Sequence, residues 1–169
     1  MKFILGNVFI VVTAIFLDQF IKLVVATSMP LGSSITLLPF FSLLHARNTG
    51  IAFSMFSDLG GLPLAAVSIL VLLFALWLWS STPRERGLTH FAFALIFGGA
   101  IGNLVDRLTL GYVTDYFYFH TPVWSFAVFN LADVFITVGA ALIFLDEFVF
   151  QPRRAKAEKA LIAGKADHE

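Results

Sequence analysis

The sequence predicts an all-α integral membrane protein with four transmembrane helices and a small strand-rich extracytoplasmic element between the first two. Three observations carry this. Of 169 residues, 59% are hydrophobic and 13% charged, about half the charged share of an average soluble domain, and the mean hydropathy is +0.88. The apolar residues are gathered into stretches close to the roughly 20 residues that cross a bilayer. Between the first two stretches, short apolar runs (Ile35 to Leu38, Phe40 to Leu44) are punctuated by Pro30, Gly32, Pro39 and Gly50, in a connection longer than a structureless loop of a compact protein.

The first span is expected over residues 3–26, interrupted by Asp18, Gln19 and Lys22. A single Lys2 before an apolar run also fits the start of a signal peptide, but the polar cluster breaks the run and no small-x-small cleavage site follows, so a retained span is expected. The second, 62–79, carries no charge; the third covers 88–105; the fourth covers 127–150, with Asp133 near its start. The segment Leu108 to Phe126 is aromatic and reads as interfacial, and residues 151–169 read as a polar cytoplasmic tail. The whole chain is expected to form one membrane-embedded domain.

Orientation follows from Lys and Arg, which gather on the cytoplasmic side. Lys2, Arg84, Arg86, Arg153, Arg154, Lys156, Lys159 and Lys165 fall on one side, against Arg47 and Arg107 on the other. Both termini are therefore expected inside. Trp77 and Trp79 then mark an inner interface, and Tyr112, Tyr116, Tyr118 and Trp124 an outer one.

Composition narrows the chemistry. The absence of cysteine excludes a thiol nucleophile, thiolate metal sites and disulfides. A net charge of +0 gives no basis for nucleic acid as a partner. There is no GxSxG and no HExxH, so neither a serine triad nor a zinc hydrolase is indicated and no metal or cofactor is expected. A serine–lysine pair of Lys22 with Ser34 or Ser54 is conceivable, but Asp18 lies one turn from Lys22.

What remains is a set of polar residues at one depth. Charged groups inside spans are costly and call for an explanation. At about 1.5 Å per residue, Asp18 lies about 22 Å along the first span, Asn103 about 22 Å along the third, and Asp133 about 25 Å from the far end of the fourth. Three helices thus bring polar side chains to the outer third of the bilayer. Asp18 and Lys22 are spaced i, i+4; Asn103, Asp106 and Arg107 fall at i, i+3 and i+4; Asn130, Asp133 and Thr137 follow one another on one face. Gly98, Gly99 and Gly102 would let a neighbouring helix approach closely. Two close carboxyls sharing one proton supply a base for water and an acid for the leaving group. A hydrolase, a proton- or ion-coupled transport component and a structural polar clamp all fit these residues.

Five ordered motifs narrow the choice: Leu17-Asp18-Gln19-Phe20-Ile21-Lys22, Asn48-Thr49-Gly50-Ile51-Ala52-Phe53-Ser54, Gly98 to Arg107, Val113-Thr114-Asp115-Tyr116, and Phe129-Asn130-Leu131-Ala132-Asp133. Together they resemble the motif set of the bacterial lipoprotein (type II) signal peptidases over nearly the whole chain. Ile51 stands where that family usually has Ala, and Thr114 where Val is common. The resemblance implies an intramembrane aspartyl endopeptidase without metal or cofactor, inhibited by globomycin. Its substrates would be diacylglyceryl-modified prolipoproteins, cut on the N-terminal side of the lipidated Cys. It implies a location in the bacterial inner membrane, with the active site near the outer face. Membrane lipid and the lipidated precursor are the expected partners, and a monomer is expected. The dyad maps to Asp115 and Asp133, with Asp106 the rival for the first carboxylate; Asp106 precedes Arg107 directly and shares a face with Asn103, which suits an ion-paired support. Asp18, Lys22, Asn48, Gly50, Asn103, Asp106, Arg107, Asn130 and Ala132 would orient the substrate and hold the dyad. Asp18 could instead serve only Lys22, and Asn130 could cap the fourth helix.

Overall fold

The computed structural model describes residues 2–50 and 61–157. Ile51, Ala52, Phe53 and Ser54 of the second motif, and the tail beyond residue 157 with Lys159 and Lys165, lie outside the described residues. The chain runs α1 (Lys2–Ser28), β1 (Ser34–Leu38), β2 (Phe41–Asn48), α2 (Gly61–Ser80), α3 (Gly87–Thr109), β3 (Val113–Thr121), β4 (Trp124–Ser125) and α4 (Leu131–Leu145). A π-helical turn, Asp146–Phe150, extends α4, and residues 151–157 are again helical. Among the described residues, Phe3–Ser28, Pro63–Ser80 and Gly87–Thr109 are each long and apolar enough to cross a membrane.

The all-α expectation needs correcting. The strands form one antiparallel array in the order β1-β2-β3-β4, and half of it comes from Leu108 to Phe126, which the sequence alone suggests is merely interfacial. In β3, Val113 to Tyr116 are buried in succession, so no polar-apolar alternation marks the strand's inner half. Its aromatic side chains pack across the ladder instead: Phe41 lies 4.7 Å from Phe119 and 5.8 Å from Phe117, centroid to centroid. Register slips between Leu43 and Ala46 opposite Phe117 and Asp115, a bulge of the kind that re-aims side chains beside functional sites. His45 sits in that bulge, buried, its Nδ1–H donating to the Met29 carbonyl at 2.8 Å. The sheet is thereby tied to the C-terminal end of α1.

A second correction concerns the start of the fourth helix, at Leu131 rather than 127. Phe129 is a bridge partner of Phe117, its carbonyl accepting from Phe117 N–H at 2.7 Å and its own N–H donating back at 3.0 Å. Residues 127–129 therefore belong to the sheet's margin, and Asn130 is the N-cap. One aromatic assignment changes as well. Tyr116 is buried in a small core with Val25 and Met29 rather than anchored at the interface, and its hydroxyl accepts from Leu131 N–H at 3.1 Å. Trp79 donates from Nε1 to His90 Nδ1 at 2.7 Å and lies over Phe93 and Phe97, joining the C-terminal end of α2 to the N-terminal half of α3. Since indole only donates, His90 carries its proton on Nε2, which donates to the Pro83 carbonyl at 3.0 Å.

Helix α3 is the central element, packed against α1, α2 and α4. Its glycines work as the spacing suggests. A Cβ on Gly98 would collide with Ala14 of α1, and one on Gly99 with the carbonyl oxygen of Ala132 on α4. Backbone cannot retreat as a flexible side chain can, so Gly99→Val should lower stability by about 1–3 kcal/mol or more. Gly6→Ala, where a Cβ meets nothing within 4 Å, should be neutral or slightly stabilising. Thermal unfolding of both variants in detergent checks the contrast.

Candidate active site

Lys22 is the hub of the polar cluster. Its ammonium donates to Asn103 Oδ1 at 2.8 Å and forms ion pairs with Asp18 Oδ2 at 2.8 Å and Asp106 Oδ2 at 3.2 Å. Lys22 is thus engaged by two carboxylates and an amide oxygen, and Ser34, one of the two serines considered as its partner, lies exposed on β1. Asp18 uses its other oxygen to accept from the Ala132 N–H at 3.0 Å, one of the amides left open at the start of α4. Gly102 makes room for this carboxylate, because a Cβ there would sit 2.5 Å from Asp18 Oδ2.

Asp106 is fully occupied inside this support. It accepts from Gln19 Nε2 at 2.9 Å, from Thr114 N–H at 3.1 Å and from Lys22. Its cation is therefore Lys22 and not the expected Arg107. Adjacent helical residues point in different directions, and Arg107 instead donates to the carbonyls of Asn103 at 3.4 Å and Gly50 at 3.3 Å. Gly50 N–H in turn donates to Asn48 Oδ1 at 3.0 Å, so the second motif closes against the third helix.

Asp115 and Asp133 are placed differently: both line a cavity of about 670 Å³ between α2, α3 and α4, which Asp106 does not. Asp115, near the start of β3, accepts from Asn48 Nδ2 at 3.0 Å and Asn130 Nδ2 at 2.6 Å. Asp133 is the third helical residue of α4 and closes a capping box: Asn130 Oδ1 accepts from Asp133 N–H, and Asp133 Oδ2 accepts from Asn130 N–H, both at 3.1 Å. Its other oxygen accepts from Asn103 Nδ2 at 2.8 Å. Asn130, buried completely, therefore both caps the helix and bridges the two carboxylates, serving both of the roles its sequence context allows. Burial, reinforced by the charge of Asp133, pushes the Asp115 carboxyl up to about 7, against the opposing pull of the Asn48 and Asn130 amides and of Lys22. A group poised there can hold or release a proton near neutrality. Below the two acids the cavity wall turns apolar, with Leu64, Val67, Val71, Ile96 and Val134.

The profile of the family described as Signal peptidase (SPase) II matches residues 10–149. This chain belongs to the signal peptidase II family. It is 53% identical over 140 residues to a lipoprotein signal peptidase of Mesorhizobium japonicum, covering 83% of each chain. It is 51% identical over 144 residues to one of Brucella ovis, covering 85% of this chain and 90% of the other. A bacterial membrane enzyme structure obtained by the in meso method at 2.3 Å resolution aligns with a TM-score of 0.76 at 28% identity, over 83% of this chain and 85% of that one. Another, at 1.9 Å, gives 0.75 at 28% identity over 85% and 93%.

As a signal peptidase II the chain is a peptidase and an integral membrane protein, which sets aside the transport component and the bare structural clamp. Every candidate chosen from sequence (Asp18, Lys22, Asn48, Gly50, Asn103, Asp106, Arg107, Asp115, Asn130, Ala132 and Asp133) takes part in this one cluster. Gln19 and the Thr114 amide are the partners that were missed. Gln19 could have been found from its place three residues before Lys22, on a shared helical side; the Thr114 backbone has no sequence signal. Among the described residues no group of three or more His, Asp or Glu is arranged to hold a metal ion.

Lys22→Met leaves Asp18 and Asp106 buried without their shared cation. Breaking a buried pair by removing one partner typically costs about 3–5 kcal/mol. The variant should unfold at markedly lower temperature in detergent, and adding Asp18→Asn should recover part of the loss.

Proposed function

We propose that this peptidase removes the signal peptide from diacylglyceryl-modified prolipoproteins, cleaving on the N-terminal side of the lipidated Cys, with Asp115 and Asp133 as an aspartyl dyad. The observation that carries this reading is the bridge made by Asn130, which holds both carboxylates on the wall of one cavity whose remainder is largely apolar. The sequence motifs and the family membership support the same pair, and the commitment of Asp106 to Lys22, Gln19 and Thr114 argues against its alternating between protonation states. In this reading four spans place both termini in the cytoplasm and the dyad near the outer face of the bacterial inner membrane. One chain suffices for the site, which favours a monomer, and globomycin should compete for the cavity.

The division of labour follows from surroundings. Asp133 lies in the first turn of α4, where the helix dipole favours negative charge, and accepts two N–H bonds; it starts as the carboxylate. Asp115, lifted by burial and by that same charge, starts protonated. A water between them gives a proton to Asp133 as its oxygen attacks the scissile carbonyl, while Asp115 protonates the carbonyl oxygen, giving a neutral gem-diol. Collapse returns that hydroxyl proton to Asp115 as the C–N bond breaks, and Asp133 delivers its proton to the departing amine. Lys22, through Asn103, and Arg107, through the Asn103 and Gly50 carbonyls, keep the surrounding framework in place.

Purified enzyme in detergent with lipidated precursor tests the assignment. Asp115→Asn and Asp133→Asn should each abolish cleavage while precursor still binds, and the double variant should be no worse than either, since groups acting as a unit are non-additive. Asp106→Asn should lower stability and reduce turnover without abolishing it; a dead, well-folded Asp106→Asn beside an active Asp115→Asn would overturn the choice.

The reaction should also lose rate as pH rises through about 7, because the protonated Asp115 on which it depends titrates there. Asn48→Ala removes a hydrogen bond that favours the charged form, so the alkaline midpoint of kcat/KM should move to higher pH. A profile flat from pH 6 to 9 in both proteins would contradict the assignment.

A further inference from the structure

Thr137 lies four residues beyond Asp133 on α4, about 6 Å further along the helix, exposed on the cavity wall. Its hydroxyl has no hydrogen-bond partner among the described residues. Thr13 and Ser28 of α1 share this, but neither lines the cavity. Thr27, Ser68, Ser81, Thr82 and Thr109 each return their hydroxyl to the carbonyl four residues earlier, the ordinary resting place of a helical Ser or Thr. Within the cavity, Ser68 is spent on Leu64 in this way, while Asn48, Asn103, Asp115 and Asp133 are bonded to one another or to Asn130. Thr137 alone offers an uncommitted hydroxyl below the acids, among Ile96, Ala100, Val134 and Val138.

The substrate presents a matching need. For its scissile carbonyl to be attacked, the signal peptide's helix must end before the cut, and a helix end leaves its last four carbonyls without intrahelical partners. In hydrocarbon no water satisfies them. The signal peptide lies on the membrane side of the cut, which is the side of Thr137 relative to Asp133. We propose that the Thr137 hydroxyl donates to one of these open carbonyls and so helps seat the signal helix's end with the next peptide bond at the dyad. This rests on the proposed function.

A bond made equally in the bound substrate and in the transition state acts on KM rather than kcat. Thr137→Val, nearly isosteric, should raise KM for lipidated precursor about fivefold to tenfold with kcat within twofold, the size expected from one hydrogen bond. Thr137→Ser should recover most of the affinity, and Thr137→Ala should repeat the valine result if valine folds poorly. Wild-type KM in both Val and Ala variants, or a loss in kcat alone, would overturn the proposal. So would disappearance of the penalty with a precursor carrying ether-linked chains, since the hydroxyl would then be bonding a lipid ester. Asp115→Asn run alongside separates the two levels: if it is inactive while Thr137→Val behaves as wild type, the dyad reading stands and only the seating role fails; if it is active, the dyad reading itself fails.

Discussion

The ammonium of Lys22 is the constraint on which the cluster depends. It joins α1 to α3 through Asp106 and Asn103 and, through Asp18, to the second amide of α4. A buried cation held between two carboxylates and an amide oxygen restricts how each partner can turn. Asn103 illustrates the effect. With its oxygen held by Lys22, its amide group must point the other way, and there it meets Asp133.

Order passes outward from that point by the direction of donors. Asn130 offers its amide protons to Asp115 and Asn103 and its oxygen to the backbone of Asp133. Gly99 and Gly102 supply the closeness that short bonds require, one admitting the backbone of α4 and the other the side chain of Asp18. The contacts that pack the helices are thus also the contacts that orient the two acids.

Much of this was legible in the sequence because hydrocarbon makes polar residues conspicuous. Asp18, Lys22, Asn103, Asp106, Asn130 and Asp133 stand out in apolar stretches, and their helical spacing gives both depth and face. What escaped was whatever depends on strand pairing. Val113 to Tyr116 are all buried and show no period of two; the pairing of Phe117 with Phe129, which delays α4 to Leu131, joins residues twelve apart through backbone bonds that side-chain pattern does not encode. The partner of Asp106 was misjudged for a related reason. Adjacency to Arg107 is visible in one dimension, whereas Lys22, 84 positions earlier, becomes its neighbour only when α1 and α3 pack.

The bridge between Phe117 and Phe129 has a consequence for how the enzyme tolerates its surroundings. Spanning helices tilt and slide as bilayer thickness changes from one lipid mixture to another, and a dyad built from two independent helices would open and close with them. Here both acids hang from one closed stretch of chain: Asp115 lies just before the bridge, Asp133 just after it, and Asn130 ties them directly. The bridge and the hydrogen bonds of Asn130 thus tie the head of α4, which carries Asp133, directly to the strand that carries Asp115. A change in lipid composition can then alter how the cavity's apolar walls lean while the distance between the two carboxylates stays constant.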